Sequence, residues 1–144
     1  NYAGQPWKTQ YWIRQVMDRL YNGTENGYPG DEDQGGMSSW YVLSALGIYS
    51  VCPGTDEYVL GSPKFSKATI TLENGNKFII EANNNSKDNV YIRSASLNGN
   101  NHTRNFIKYS DITNGGVLKL EMSNQPEKNR GTALSDRPFS LSQK

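Results

Sequence analysis

Apolar positions along the chain change their spacing once, near residue 47. Between Trp7 and Tyr21 the residues Trp12, Ile13, Val16, Met17 and Leu20 recur at three- and four-residue intervals, while Arg14, Asp18 and Arg19 occupy the other face. That is the period of an amphipathic helix with its apolar stripe turned to a core. Thr9 is its cap candidate and Asn22-Gly23 ends it. A second helix is predicted from Met37 to Leu46, closed by Gly47 in the usual C-terminal position. Met37, Trp40, Tyr41, Leu43, Ala45 and Leu46 surround most of its circumference, so it should be buried against something larger than the first helix alone.

Beyond Gly47 the period falls to two. Ile48–Val51 and Tyr58–Leu60 read as short strands separated by Pro53-Gly54, and Lys67–Leu72 alternates Ala68, Ile70 and Leu72 against Lys67, Thr69 and Thr71. Asn74-Gly75 carries the signal of a tight hairpin returning through Phe78-Ile79-Ile80. Val90–Leu97, Asn105–Tyr109 and Val117–Met122 are further strands, and the polar tail after Ser123 is expected to be irregular. The predicted class is α+β: two or three N-terminal helices followed by an antiparallel sheet or sandwich. Residues 1–50 form the helical part and 51–144 the β-rich part.

Composition narrows the function classes. The chain has 144 residues, 35% hydrophobic and 20% charged, with a net charge of +1. One ordinary domain fits that length. A balance so near neutral gives no reason to expect nucleic acid as a partner. No apolar run reaches membrane-spanning length. The single cysteine, Cys52, excludes an intrachain disulfide and a Cys-rich zinc site. The only histidine, His102, lies in a polar loop, so a thiolate pair is not expected. There is no starting Met and no signal-like segment. Beginning at Asn1 within what reads as continuing structure, the chain is expected to be a piece of a longer polypeptide.

The stretch with the most chemistry is Gly27-Tyr28-Pro29-Gly30-Asp31-Glu32-Asp33-Gln34-Gly35-Gly36-Met37-Ser38-Ser39-Trp40. Three carboxylates stand between a Pro-Gly turn and the start of an apolar helix, where unpaired N–H groups favour the ionised form. One helix cap requires one carboxylate, and Asp31 or Asp33 would serve. In an extended loop Asp31 and Asp33 would converge while Glu32 faces away, which makes them a candidate pair for base chemistry. An EF-hand is rejected, because its fifth and twelfth positions would be Gly35 and Val42. Trp7 and Tyr11 are candidates to line a sugar site, and Gln34 to bond a sugar hydroxyl.

The order of motifs resembles the C-terminal region of the glycoside hydrolase family 92 α-mannosidases. The residues that carry the resemblance are Asn1–Gln10, with Gln5-Pro6-Trp7, then Gly27–Val42, Ser44–Tyr49, Pro53-Gly54, Tyr58 and Gly61-Ser62-Pro63. The resemblance covers most of the chain and thins after about Met122. It implies an exo-acting, calcium-dependent hydrolase that removes terminal mannose from glycans with inversion, α-1,2 being the expected linkage. It also implies that the helices complete an (α/α)6 toroid, with Asp33 as general base and Asp31 as its partner. The catalytic glutamic acid and most calcium ligands would lie in the upstream part of the same polypeptide, leaving residues 1–144 inactive alone. The substrate class places the protein in the periplasm, at the cell surface or outside the cell. Two other readings stand beside this one: a noncatalytic carbohydrate-binding module with Tyr58 or Tyr91 on an exposed platform, and a structural accessory domain.

Overall fold

Two helices lead the chain in the computed structural model, which describes residues 1–143: α1 (Pro6–Leu20) and α2 (Gly36–Leu46). Proline at the start of α1 has no N–H to leave unpaired, and Gly47 ends α2 at φ +90°. The strands are β1 (Ile48–Tyr49), β2 (Glu57–Leu60), β3 (Lys67–Thr71), β4 (Lys77–Asn83), β5 (Tyr91–Leu97), β6 (Asn100–Asn101), β7 (Phe106–Lys108) and β8 (Gly116–Ser123). A short helix, α3 (Tyr109–Thr113), joins β7 to β8, and the Asp111 carboxylate accepts from the Lys108 N–H at its start.

The strands form two sheets. One has the order β1-β2-β7 and the other β3-β4-β8-β5-β6. Their facing sides enclose the core, built from Ile48 and Leu60 on one side, Phe78, Ile80, Ala82, Leu118, Leu120 and Met122 on the other, with Ile107 and Ile112. Period-two alternation puts Phe78, Ile80 and Ala82 on one face of β4. In β5 a bulge at Arg93 shifts the register between Ile92 and Ser94. The extra residue changes the parity, so Ile92 and Ala95 both face the core although three positions apart.

Most of the sheet is antiparallel, as the sequence predicts, with one difference: β4 and β8 run parallel at the centre of the larger sheet. Parallel neighbours need a long crossover, and residues 84–115 supply it. The Asn98-Gly99 turn joins β5 to β6 with both residues at positive φ, 51° and 82°. That is the backbone twist a two-residue hairpin requires.

The helices depart from their sequence patterns. In α1 the buried residues are Pro6, Gln10, Arg14 and Met17, whereas Trp12 is 60% exposed and Leu20 48%. Arg14, expected on the outer face, is buried. The reason is what the helix meets: strand ends and loops carrying main-chain groups with nothing to pair. Gln10 Oε1 accepts from the Ile92 N–H at 3.0 Å. Arg14 donates to Pro63 O, to Asn85 Oδ1 at 2.7 Å and to Ser86 O at 3.3 Å. In α2 only Ser44 and Ala45 are buried, and Val42 is 57% exposed. Residues 1–143 do not enclose this apolar helix.

The tail after Ser123 is irregular, with a single 3-10 turn at Leu134–Asp136 and another at Leu141–Gln143, yet it is fastened to the sandwich. Arg130 donates to the carbonyls of His102 and Arg104, and Asn105 Nδ2 donates to Gly131 O at 2.6 Å. Burial pushes the Arg130 guanidinium down to about 10. His102 is buried beside this strap, its Nε2–H donating to Phe106 O at 2.9 Å. Burial holds its imidazole below the ordinary value, opposed by the Phe106 bond.

Two outcomes follow from this packing. Phe78→Ala should lower stability by about 3–5 kcal/mol in urea denaturation, against under about 1 kcal/mol for Val42→Ala. Because His102 binds its proton less readily when folded, its contribution is present above about pH 6.5 and lost as pH falls through the lower folded value. His102→Gln should therefore flatten the decline in unfolding free energy between about pH 7 and about pH 5.

Candidate active site

The acidic loop does not run extended into α2. Asp33, Gln34 and Gly35 all have left-handed backbones, with φ of 55°, 60° and 90°. The alternation expected of an extended loop is therefore absent, and the carboxylate that turns back to the helix is Glu32. Its Oε1 and Oε2 accept from the Ser38 N–H at 3.2 and 3.1 Å, and Oε1 accepts from Ser38 Oγ at 2.5 Å. Glu32 O accepts from the Met37 N–H at 3.2 Å, and Asp33 O from Gly36 N–H at 3.3 Å. The first three amides of α2 are thus satisfied by residues 32 and 33. The N-cap position itself is Gly35, which has no side chain to offer.

This corrects the expectation that Asp33 is held by the helix opening. Asp31 and Asp33 are exposed, and among the described residues neither carboxylate receives a hydrogen bond or an ion pair. Gln34 is exposed and also projects from a left-handed backbone. A left-handed residue other than glycine costs about 1–2 kcal/mol. Hydrogen bonds to a charged acceptor contribute about 1.5–3 kcal/mol each, so the Glu32–Ser38 contacts are of the right size to hold Asp33 and Gln34 in place. Strain held beside open carboxylates is a feature of functional loops.

Aromatic residues back the loop. Tyr21 is their centre, stacked on Trp40 at 5.5 Å, tilted against Tyr41 at 5.0 Å and edge-on to Tyr28 at 5.9 Å. Burial raises the Tyr21 hydroxyl above its ordinary value, and the Glu32 carboxylate, Tyr28 and Tyr49 add to the rise. A hollow of about 510 Å³ opens beside the cluster, lined by Tyr21, Asn22, Thr24, Tyr28, Ser38 and Tyr41 among others. No periodic signal marks this group, because Tyr21 and Tyr28 fall outside both helical patterns. Glu32 was equally hidden: a capping pair is sought three residues apart, and here the carboxylate precedes its amide by six.

The other candidates lie elsewhere. Trp7 is half-buried in the first turn of α1, about 20 Å along the helix axis from Tyr21, and does not line the hollow. Tyr11 packs edge-on against Trp12 at 5.1 Å. Tyr58 packs on the core and Tyr91 is half-buried, so neither offers the exposed platform of a binding module. Among the described residues no three His, Cys, Asp or Glu side chains gather to hold a metal ion. No helix of these residues is long and apolar enough to cross a membrane.

Residues 1–124 match the family model described as the glycosyl hydrolase family 92 catalytic domain. A curated protein of Arthroderma benhamiae named as an uncharacterized secreted glycosidase is 33% identical over 144 residues, covering 98% of this chain and 18% of its own length. Two solved structures from Bacteroides thetaiotaomicron superpose with a TM-score of 0.92. A family 92 inverting mannosidase is 51% identical over 98% of this chain, and a family 92 α-mannosidase 34% identical over 97%. In each the matched region is 19% of the solved chain. The chain thus spans about a fifth of the length of these relatives.

The loop geometry makes its own prediction. Gly35→Ala should cost about 1–2 kcal/mol through its left-handed backbone alone, since an added Cβ meets only Glu32 Oε1 at 4.0 Å. Gly36→Ala, in open space at the helix start, should change stability by less than about 1 kcal/mol and in the stabilising direction. Chemical denaturation of both variants tests this.

Proposed function

The chain belongs to glycosyl hydrolase family 92, and on that premise we propose that it supplies the water-activating carboxylate of an inverting exo-α-mannosidase. Asp33 is the general base and Asp31 positions the water or the sugar. The observation that carries this reading is the division of labour in the acidic loop. Glu32 is spent on the helix, which leaves the carboxylates on either side of it open to solvent.

Inversion requires a carboxylate to take a proton from water as its oxygen attacks the anomeric carbon, and a carboxylic acid across the ring to protonate the leaving oxygen. Asp33 suits the first task because nothing competes for its lone pairs. Gln34, projecting beside it, is proposed to bond a sugar hydroxyl. Trp7 stacking would take place at the far end of α1, apart from these carboxylates. The acid is proposed to come from the remainder of the polypeptide, as does the cover for the exposed Val42 face of α2. Residues 1–144 alone are then inactive.

Calcium needs six to eight oxygen ligands, and the described carboxylates do not converge into such a cage. The described residues do not make a calcium site by themselves; calcium is proposed to be held mostly by the upstream part of the polypeptide, and no step is assigned to it. The substrate proposed is a terminal α-linked mannose of a glycan, α-1,2 being the expected linkage. An extracellular or envelope location is proposed from that substrate and from the secreted fungal relative.

In the full-length protein, Asp33→Asn should lower kcat on an aryl α-mannoside by about 10²–10⁴, with Asp31→Asn losing more than about tenfold. NMR of the first-formed sugar should show the inverted anomer. Retained turnover in Asp33→Asn would overturn the assignment, and turnover by the isolated chain would show that no external acid is needed.

A further inference from the structure

We infer that a second hollow, between α1 and the two loops that Arg14 ties to it, is a binding site for a phosphate group. It does not depend on the reading of Asp33, and it shares no lining residue with the hollow beside the acidic loop. At about 570 Å³ it lies within the range of small-molecule sites. Arg14, Lys64 and Lys87 line it together with the hydroxyl residues Ser66 and Ser86, and Asp18 is the one carboxylate among its lining residues. Three cations against one carboxylate meet here, in a chain whose net charge is +1. A cleft walled by one sign of charge concentrates ions of the other.

The site is built around a buried group. Arg14 is 4% exposed, and its two Nη groups hold the walls together by donating to Pro63 O in one loop and to Asn85 Oδ1 and Ser86 O in the other. Each of those acceptors is uncharged. Among the described residues no carboxylate lies within ion-pair distance of the guanidinium. A buried cation without an anionic partner is costly, and burial holds Arg14 below its ordinary value, with the charge of Asp18 opposing. An anion in the hollow supplies the missing countercharge.

The free donors decide which anion fits. Lys64 Nζ is paired with Asp18 Oδ1 at 2.5 Å, whereas Lys87 is exposed and has no ion pair among the described residues. Ser86 Oγ already accepts from the N–H groups of Asp88 and Asn89 at 3.3 and 3.0 Å, so its own proton is left to donate. A planar carboxylate is met best by an open guanidinium fork, and the fork of Arg14 is committed to the protein. Ammonium point charges and hydroxyl donors from separate elements suit a tetrahedral phosphate, which carries about −1.5 to −2 charges at neutral pH. Free inorganic phosphate and a phosphomonoester borne by a sugar share that chemistry.

Calorimetric titration of the full-length protein with inorganic phosphate at constant ionic strength tests the site. Wild type should take up one phosphate per chain, saturating below about 10 mM. Lys87→Ala should weaken that uptake about 3- to 10-fold, and Lys64→Ala with Lys87→Ala more than about 30-fold. Both variants should keep aryl α-mannoside turnover within about twofold of wild type, which shows that the fold is intact. Asp33→Asn should bind phosphate as wild type does, so the base assignment and this site fail separately. Glucose 6-phosphate distinguishes the sources: binding at least about fivefold tighter than phosphate identifies a sugar-borne ester, and equal or weaker binding the free ion. Absence of saturable binding overturns the site, as does binding that the lysine variants leave unchanged.

Discussion

A buried guanidinium holds the helical part of this chain to its sheets. Arg14 is 4% exposed and reaches three acceptors in two loops, around Pro63 and around Asn85 and Ser86, while Gln10 one turn earlier pairs with the backbone of β5. Taking such groups out of water is costly unless partners replace the solvent. Here the partners are the carbonyls of Pro63 and Ser86, the Asn85 side-chain amide and the Ile92 N–H. Directional bonds from Arg14 Nη1 and Nη2 and from Gln10 fix the register between helix and sheet more sharply than apolar contact alone would. The acidic loop hangs from the far end of this anchored helix.

At the loop itself a second exchange takes place. A left-handed run through Asp33, Gln34 and Gly35 is unfavourable by itself, and the amides of α2 need acceptors. Glu32 meets both needs by folding back onto Ser38. The carboxylates of its neighbours Asp31 and Asp33 then remain open to solvent, while the Asp33 carbonyl still accepts from the Gly36 N–H. The charge of Glu32 is thus committed to the helix start, whereas those of Asp31 and Asp33 are not.

The sandwich carries the load behind this arrangement. Its core alternates along β4 and β8, and the crossover between these parallel neighbours carries β5, β6, β7 and α3. The tail adds a strap through Arg130 and Asn105. In contrast α2 keeps an apolar face open, in a chain that spans about a fifth of its relatives' length.

Local pattern was enough for α1, α2 and most of the strands, though not for β6 or α3. The helix ending at Gly47, the Asn-Gly turns, the alternating strands and the acidic cluster are written in short windows, because propensity, capping and period-two burial act over a few residues. Which helix face is buried was not legible: the apolar stripe of α1 pointed to Trp12 and Leu20, and the sheet instead demanded Gln10 and Arg14, since orphaned carbonyls outweigh exposed rings. The parallel pairing of β4 with β8 joins residues about forty apart, beyond any window. The sequence by itself determined that carboxylates crowd the start of α2. Only tertiary structure decided which of them caps the helix and which stay free, because that choice turns on three backbone angles and a serine six residues away.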